Sequence, residues 1–149
     1  MATATVKYLG NLRTEMQHLK SGSVIMTDAP VDNNGKGELF SPTDLVASAL
    51  ASCAITVMGI AANTHNIPFT QVSAEVEKIM ESNPRRIGAV KIKFTIGDVL
   101  DDKQKRMLEH TAHTCPVAKS LSAELKQEVE FIYTASWAST ASIAWCDSA

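Results

Sequence analysis

Two cysteines carry the clearest chemical potential in this sequence. Cys53 and Cys115 stand 62 positions apart, and each has neighbours that bear on thiol reactivity. Cys53 lies inside the apolar run Leu45 to Ala62, where helical spacing puts Ala49, Leu50, Thr56 and Val57 one turn away. A cysteine there acts as a small hydrophobe filling a core, or as a nucleophile if a cation holds its thiolate, because apolar surroundings raise a thiol above its reference value of about 8.5. An arginine is the side chain that would meet this need. Cys115 falls between Thr114 and Pro116, where a helix begins. It is either an incidental helix-start residue or a thiol whose ionised form is favoured by unpaired N–H groups and the helix dipole. By these local rules Cys115 is the more acidic of the two.

The other candidates are weaker. His110, His113 and Cys115 form an H-x-x-H-x-C cluster, but the three straddle a helix end, have no fourth ligand nearby and match no zinc spacing. No metal is therefore expected. His18 and His65 are isolated and read as surface or loop residues. C-x-x-C, G-x-S-x-G, G-x-G-x-x-G and P-loop patterns are all missing, which removes the anchors for thioredoxin-like, hydrolase, dinucleotide and nucleotide readings. Gly35-Lys36-Gly37 is better explained by turn geometry than by phosphate binding. With Cys146 the chain has three cysteines, too few and too far apart for a disulfide scaffold. Met1 to Gly10 shows no apolar run of signal-peptide length, so a reducing cytoplasm is the expected location.

The elements that must position these residues follow from period and punctuation. Ala4 to Leu9, Leu12 to Leu19 and Ser23 to Thr27, broken by Gly10 and Ser21-Gly22, read as three strands of a meander. Asp28 to Phe40 is a loop. Ser41-Pro42-Thr43-Asp44 opens a helix to about Asn63, with Ser41 as N-cap, Pro42 at the first helical position and Asp44 in the first turn. Its apolar residues occupy nearly every face, which predicts burial on most sides by other elements or by a second subunit. Val72 to Met80 and Ala89 to Ile96 alternate as strands joined by an Asn83-Pro84-Arg85-Arg86 hairpin. Helices are expected from Asp101-Asp102 to about Thr111 and from Cys115 to about Leu125, and a last strand from Glu128 to Thr134. Residues 1–134 thus form one domain, with a tail over 135–149 that has no convincing period.

Composition bounds the partners. With 149 residues, 45% hydrophobic and 20% charged, the chain is long and apolar enough for one buried core. A formal charge of -2 supplies no overall basic field, so neither nucleic acid nor an anionic membrane is an expected partner.

Thr27-Asp28-Ala29-Pro30, Asn33-Asn34-Gly35, Ser41-Pro42-Thr43-Asp44-Leu45 and Ala49-Leu50-Ala51-Ser52-Cys53 resemble the OsmC/Ohr family of osmotically inducible and organic-hydroperoxide-resistance proteins. His113-Thr114-Cys115-Pro116-Val117 resembles that family's second cysteine motif, and the similarity runs from about residue 3 to 134. The resemblance implies an α+β fold with antiparallel sheets around long buried helices, assembled as an intertwined homodimer. It implies a thiol peroxidase in which Cys53 attacks an organic hydroperoxide and Cys115 resolves the sulfenic acid as an intramolecular disulfide. No bound cofactor is implied, only an external dithiol reductant of lipoyl type.

In peroxidase members an arginine from the N-terminal strands activates the first cysteine, and Arg13 is the candidate here, expected in contact with the Cys53 sulfur. Those members hold the arginine with a Glu ten positions before that cysteine, where this chain has Thr43 followed by Asp44. Asp44 is the first choice for that role. The alternatives are a helix-start carboxylate only, or a branch whose activity has drifted. The departure keeps open a second reading, a non-enzymatic small-molecule binding or stress-related structural protein with the same fold.

Overall fold

The computed structural model describes residues 1–135. The expected tail, with both tryptophans and Cys146, lies outside the described residues from position 136 on. The described chain forms two compact units, Met1–Val46 and the part from Ala47 onward.

The first unit is the expected meander. Strands β1 (Ala4–Gly10), β2 (Arg13–His18) and β3 (Val24–Asp28) form an antiparallel sheet in sequential order. Leu12, expected to start β2, instead completes a turn in which Gly10, Asn11 and Leu12 have φ of 87°, 53° and 62°. The strand therefore begins at Arg13. Register puts Val6, Met16 and Ile25 side by side on one face and pairs Arg13 with Asp28 on the other. The loop that follows includes a 3-10 turn over Val31–Asn33 and folds back tightly on itself. A side chain at Gly35 would meet the Ala29 carbonyl oxygen at 1.7 Å, and Gly37 sits at φ 64°, so turn geometry accounts for both glycines.

Helix α1 (Pro42–Thr64) starts on a capping box. The Asp44 N–H donates to Ser41 Oγ at 3.1 Å, and the Ser41 N–H donates to Asp44 Oδ2 at 2.9 Å. An 18-residue window of α1 has mean hydropathy 2.1, enough by length and composition to cross a bilayer. Six of its residues instead lie in the core of the second unit: Ala47, Leu50, Ala51, Ala54, Met58 and Ala62. That spacing is a single helical stripe. Ser52, Thr56 and Ile60 are exposed, so α1 is less enclosed than its all-round apolar composition predicts.

In the second unit's three-stranded sheet, β4 (Val72–Glu81) and β5 (Arg86–Ile96) pair antiparallel, and β6 (Lys126–Tyr133) lies parallel to β5, in the order β4-β5-β6. The alternation along β5 works as expected. Val90, Ile92, Phe94 and Ile96 are buried, while Lys91 and Lys93 face outward between glutamates of β4 and β6. Phe94 stacks on Phe131 of β6 with ring centroids 5.3 Å apart. The crossover to the parallel strand holds α2 (Asp102–His113) and α3 (Pro116–Ser120). A capping box between Asp101 and Gln104 starts α2, and Tyr133 Oη donates to Glu109 Oε1 at 2.7 Å, tying it to β6. Helix α3 ends at Ser120 and not near Leu125, because Leu121 turns extended with ψ 154° and a Ser122–Leu125 turn leads into β6.

Candidate functional site

The two motif cysteines meet in the second unit. Cys53 rides on α1, half-buried and packed against the core; Cys115 is the N-cap of α3 and is 1% exposed. Both thiols are free, and they lie close enough for Cys53 to act on the titration of Cys115. The Ala118 N–H donates to Cys115 Sγ at 3.3 Å, the cap interaction that the helix-start motif foreshadows.

That cap does not make Cys115 acidic. Burial pushes its thiol above the ordinary range, and the nearby Cys53 adds to the effect, outweighing the N–H groups of Ala118 and Val117. The expectation from local rules is thereby reversed, because a five-residue helix offers a weak dipole and the site lies inside the apolar cluster. Cys115 is thereby biased toward its protonated form.

Arg13 belongs to a cluster in the first unit. Its Nη2 donates to Asp28 Oδ2 at 3.3 Å and also to Glu38 Oε2. Asp28 is fully buried and also accepts the Glu38 N–H at 3.2 Å through Oδ2. Its Oδ1 is buried with no hydrogen-bond partner among the described residues. Burial alone would raise the Asp28 carboxyl, yet the Glu38 N–H and the Arg13 guanidinium hold it below the usual range. Arg13 is in turn held more firmly protonated by hydrogen bonds to Asp28 and Glu38.

The carboxylates on Arg13 are therefore Asp28 and Glu38. Asp44, the expected partner, is engaged with Ser41 at the start of α1, and Thr43 Oγ1 hydrogen-bonds Ser41 Oγ at 3.1 Å. The physical reason is register: the meander sets Arg13 directly across from Asp28, whereas Asp44 is drawn to the unpaired N–H groups of its own helix. Asp28 stands in the Thr27-Asp28-Ala29-Pro30 motif, a signal that could have marked it. Glu38 comes from a loop with no period and left no such signal.

The histidines gather no metal site. His113 packs edge-on against Phe131 with centroids 6.0 Å apart, and among the described residues no three His, Cys, Asp or Glu side chains converge on a point.

An α+β chain of two small sheets and a long helix, with one thiol on that helix and a second at the mouth of a short one, defines a two-cysteine class of protein. The family model for OsmC-like proteins matches residues 35–130, and the chain belongs to that family. A protein from Psychrobacter arcticus, provisionally named an osmotic stress induced and detoxification response protein, is 50% identical. Its structure superposes with a TM-score of 0.85 over 88% of this chain and 96% of its own. The organic hydroperoxide resistance protein OsmC of Legionella pneumophila shares the fold at 19% identity, with a TM-score of 0.71 over 89% of this chain and 98% of its own. An organic hydroperoxide resistance protein of Elizabethkingia anophelis does so at 15% identity, with a TM-score of 0.67 over 90% and 98%. No curated protein sequence matches the chain.

Proposed function

We propose that this protein is a cytoplasmic, homodimeric thiol peroxidase that reduces organic hydroperoxides. The observation that carries the reading is the proximity of Cys53 and Cys115, the first half-buried and the second buried in the same apolar cluster. The Cys53 thiolate attacks the terminal oxygen of the hydroperoxide and the O–O bond breaks. The alkoxide leaves and takes up a proton as the alcohol, and Cys53 becomes a sulfenic acid. Cys115, on losing its proton, attacks the Cys53 sulfur; hydroxide departs as water and a disulfide forms. Two electrons from an external dithiol of lipoyl type restore both thiols. No bound cofactor enters the cycle.

Consumption of cumene hydroperoxide with dihydrolipoamide as reductant tests the proposal. Wild-type protein should turn over, Cys53→Ser should lose all consumption, and Cys115→Ser should accumulate a sulfenic acid that dimedone traps on Cys53. Folded wild-type protein that consumes no hydroperoxide would support the non-enzymatic binding or structural reading instead. A label appearing in Cys53→Ser and not in Cys115→Ser would exchange the two roles.

A further inference from the structure

Helix α3 carries Cys115 at its start and is only five residues long. So short a helix gains little from its own cooperativity, and its hold on the thiol depends on what pins it. The Cys115 carbonyl accepts the Lys119 N–H at 3.1 Å, the Pro116 carbonyl accepts the Ser120 hydroxyl at 2.8 Å, and the Val117 carbonyl accepts the Leu121 N–H at 3.2 Å. These bonds stay within α3 and its C-cap. The Ala118 carbonyl instead accepts from Gln127 Nε2 of β6 at 3.1 Å. Ala118 is also the residue whose N–H donates to Cys115 Sγ at 3.3 Å. One residue thus presents its donor to the thiol and its acceptor to the sheet. Gln127 is exposed, but it lies in register with the fully buried Val90 of β5, so its backbone is fixed by strand pairing. All of these residues belong to the second unit. Burial is the largest influence on the Cys115 thiol, and the Ala118 N–H is the largest that opposes it.

Taking the peroxidase reading as its base, we propose that Gln127 is a positioning residue for the resolving thiol, holding Ala118 so that its N–H stays on Cys115 Sγ. Gln127 acts through Ala118 rather than on either sulfur. In the resolving step the proton leaves Cys115 and its thiolate attacks the sulfenic sulfur of Cys53. The S–S bond forms as the S–O bond breaks, and the departing hydroxide takes up a proton as water. The Ala118 N–H steadies the charge on Cys115 after the proton has left and before the S–S bond has formed.

The test is decisive in sign. If Gln127 only closes a surface loop, its loss lets water reach Cys115 and lowers the pH midpoint of Cys115 alkylation, because burial is what raises it. If Gln127 holds Ala118, its loss removes the thiolate's donor while the apolar cover remains. Val117, Ala118 and Leu121 still pack on the core, and Arg86 Nη1 still holds Glu124 of the connecting loop at 2.5 Å. The midpoint then rises. Iodoacetamide labelling of the Cys115 peptide in reduced protein, followed by mass spectrometry across pH, reads this directly. Gln127→Met, which keeps the side-chain length without the donor, should raise the midpoint by about half a unit, roughly a threefold loss of thiolate below it. Gln127→Lys, which restores an N–H donor on a side chain long enough to reach, should reverse the rise. A midpoint that falls or stays put in Gln127→Met overturns the proposal, as does a rise that Gln127→Lys leaves in place. Should Gln127→Met fail to fold, Gln127→Ala carries the same test with the same expected rise. Alkylation needs no hydroperoxide. A wild-type protein that consumes none would therefore sink the peroxidase reading on its own, while normal turnover with an unshifted Gln127→Met midpoint would sink only the positioning role.

Discussion

At Cys115 two influences oppose each other: the Ala118 N–H at Sγ favours the thiolate, while burial and Cys53 favour the thiol. Burial wins, since an apolar interior penalises a new charge more than one cap hydrogen bond relieves it. Cys115 should therefore resist iodoacetamide at neutral pH and become labelled only above its reference value of about 8.5. Because its folded value lies above its unfolded one, the stability it contributes is fully present below about pH 8.5 and is lost as pH rises through the folded value. Disulfide formation on sulfenic Cys53, followed by stopped-flow fluorescence or quenched labelling, should accelerate over that same rise. A pH-independent closure would mean that Cys115 is not held protonated. Cys53, Cys115 and Arg13 all stand out from residue type and motif. Glu38 does not, because nothing in an aperiodic loop tells a partnered glutamate from a solvated one.

Helix starts and strand alternation were the most legible elements, because both are written locally. The Ser41 and Asp44 capping box stabilises the beginning of α1. Asp44→Ala is expected to cost about 1 kcal/mol in a urea titration. Hydroperoxide consumption should persist in that variant, since the carboxylates of Arg13 are Asp28 and Glu38. Loss of activity from a fully folded Asp44→Ala protein would restore Asp44 to the site. A second local device ties the segment before β4 to the segment after β5, within the second unit. Asp98 accepts the N–H groups of Thr70 and Gln71 at 2.8 and 2.9 Å and the Thr70 hydroxyl at 2.8 Å. Its burial would raise the carboxyl, but these donors lower it overall. A depressed folded value contributes stability that is present above about pH 3.9 and lost as pH falls through the folded value. Asp98→Asn should therefore lower stability at neutral pH and flatten the acid limb of a pH–stability curve; an unchanged acid limb would remove Asp98 from that role. The α3 boundary was misplaced by about five residues because the turn at Leu121 carries no Gly or Pro to announce it.

The molecule as a whole leaves apolar surface uncovered in both units. Val6, Tyr8 and Ile25 are exposed on the first sheet, and α1 exposes Val46 and Ile60. Such surface on a chain of this size marks an association site, and the homodimer proposed above would cover it. Light scattering should report about twice 16.1 kDa at micromolar concentration, with an interface above about 1,200 Å². A stable, natively folded monomer would count against the dimer. The sequence by itself determined the strands, the helix starts, the glycine turns and the two cysteine motifs, because propensity, capping and side-chain period act over a few residues at a time. The tertiary structure alone decided that burial raises the Cys115 thiol, which carboxylates hold Arg13 and that β6 lies parallel to β5. Each of these depends on burial or on pairing between segments far apart in the chain, and no local pattern encodes the field or the neighbour that folding brings.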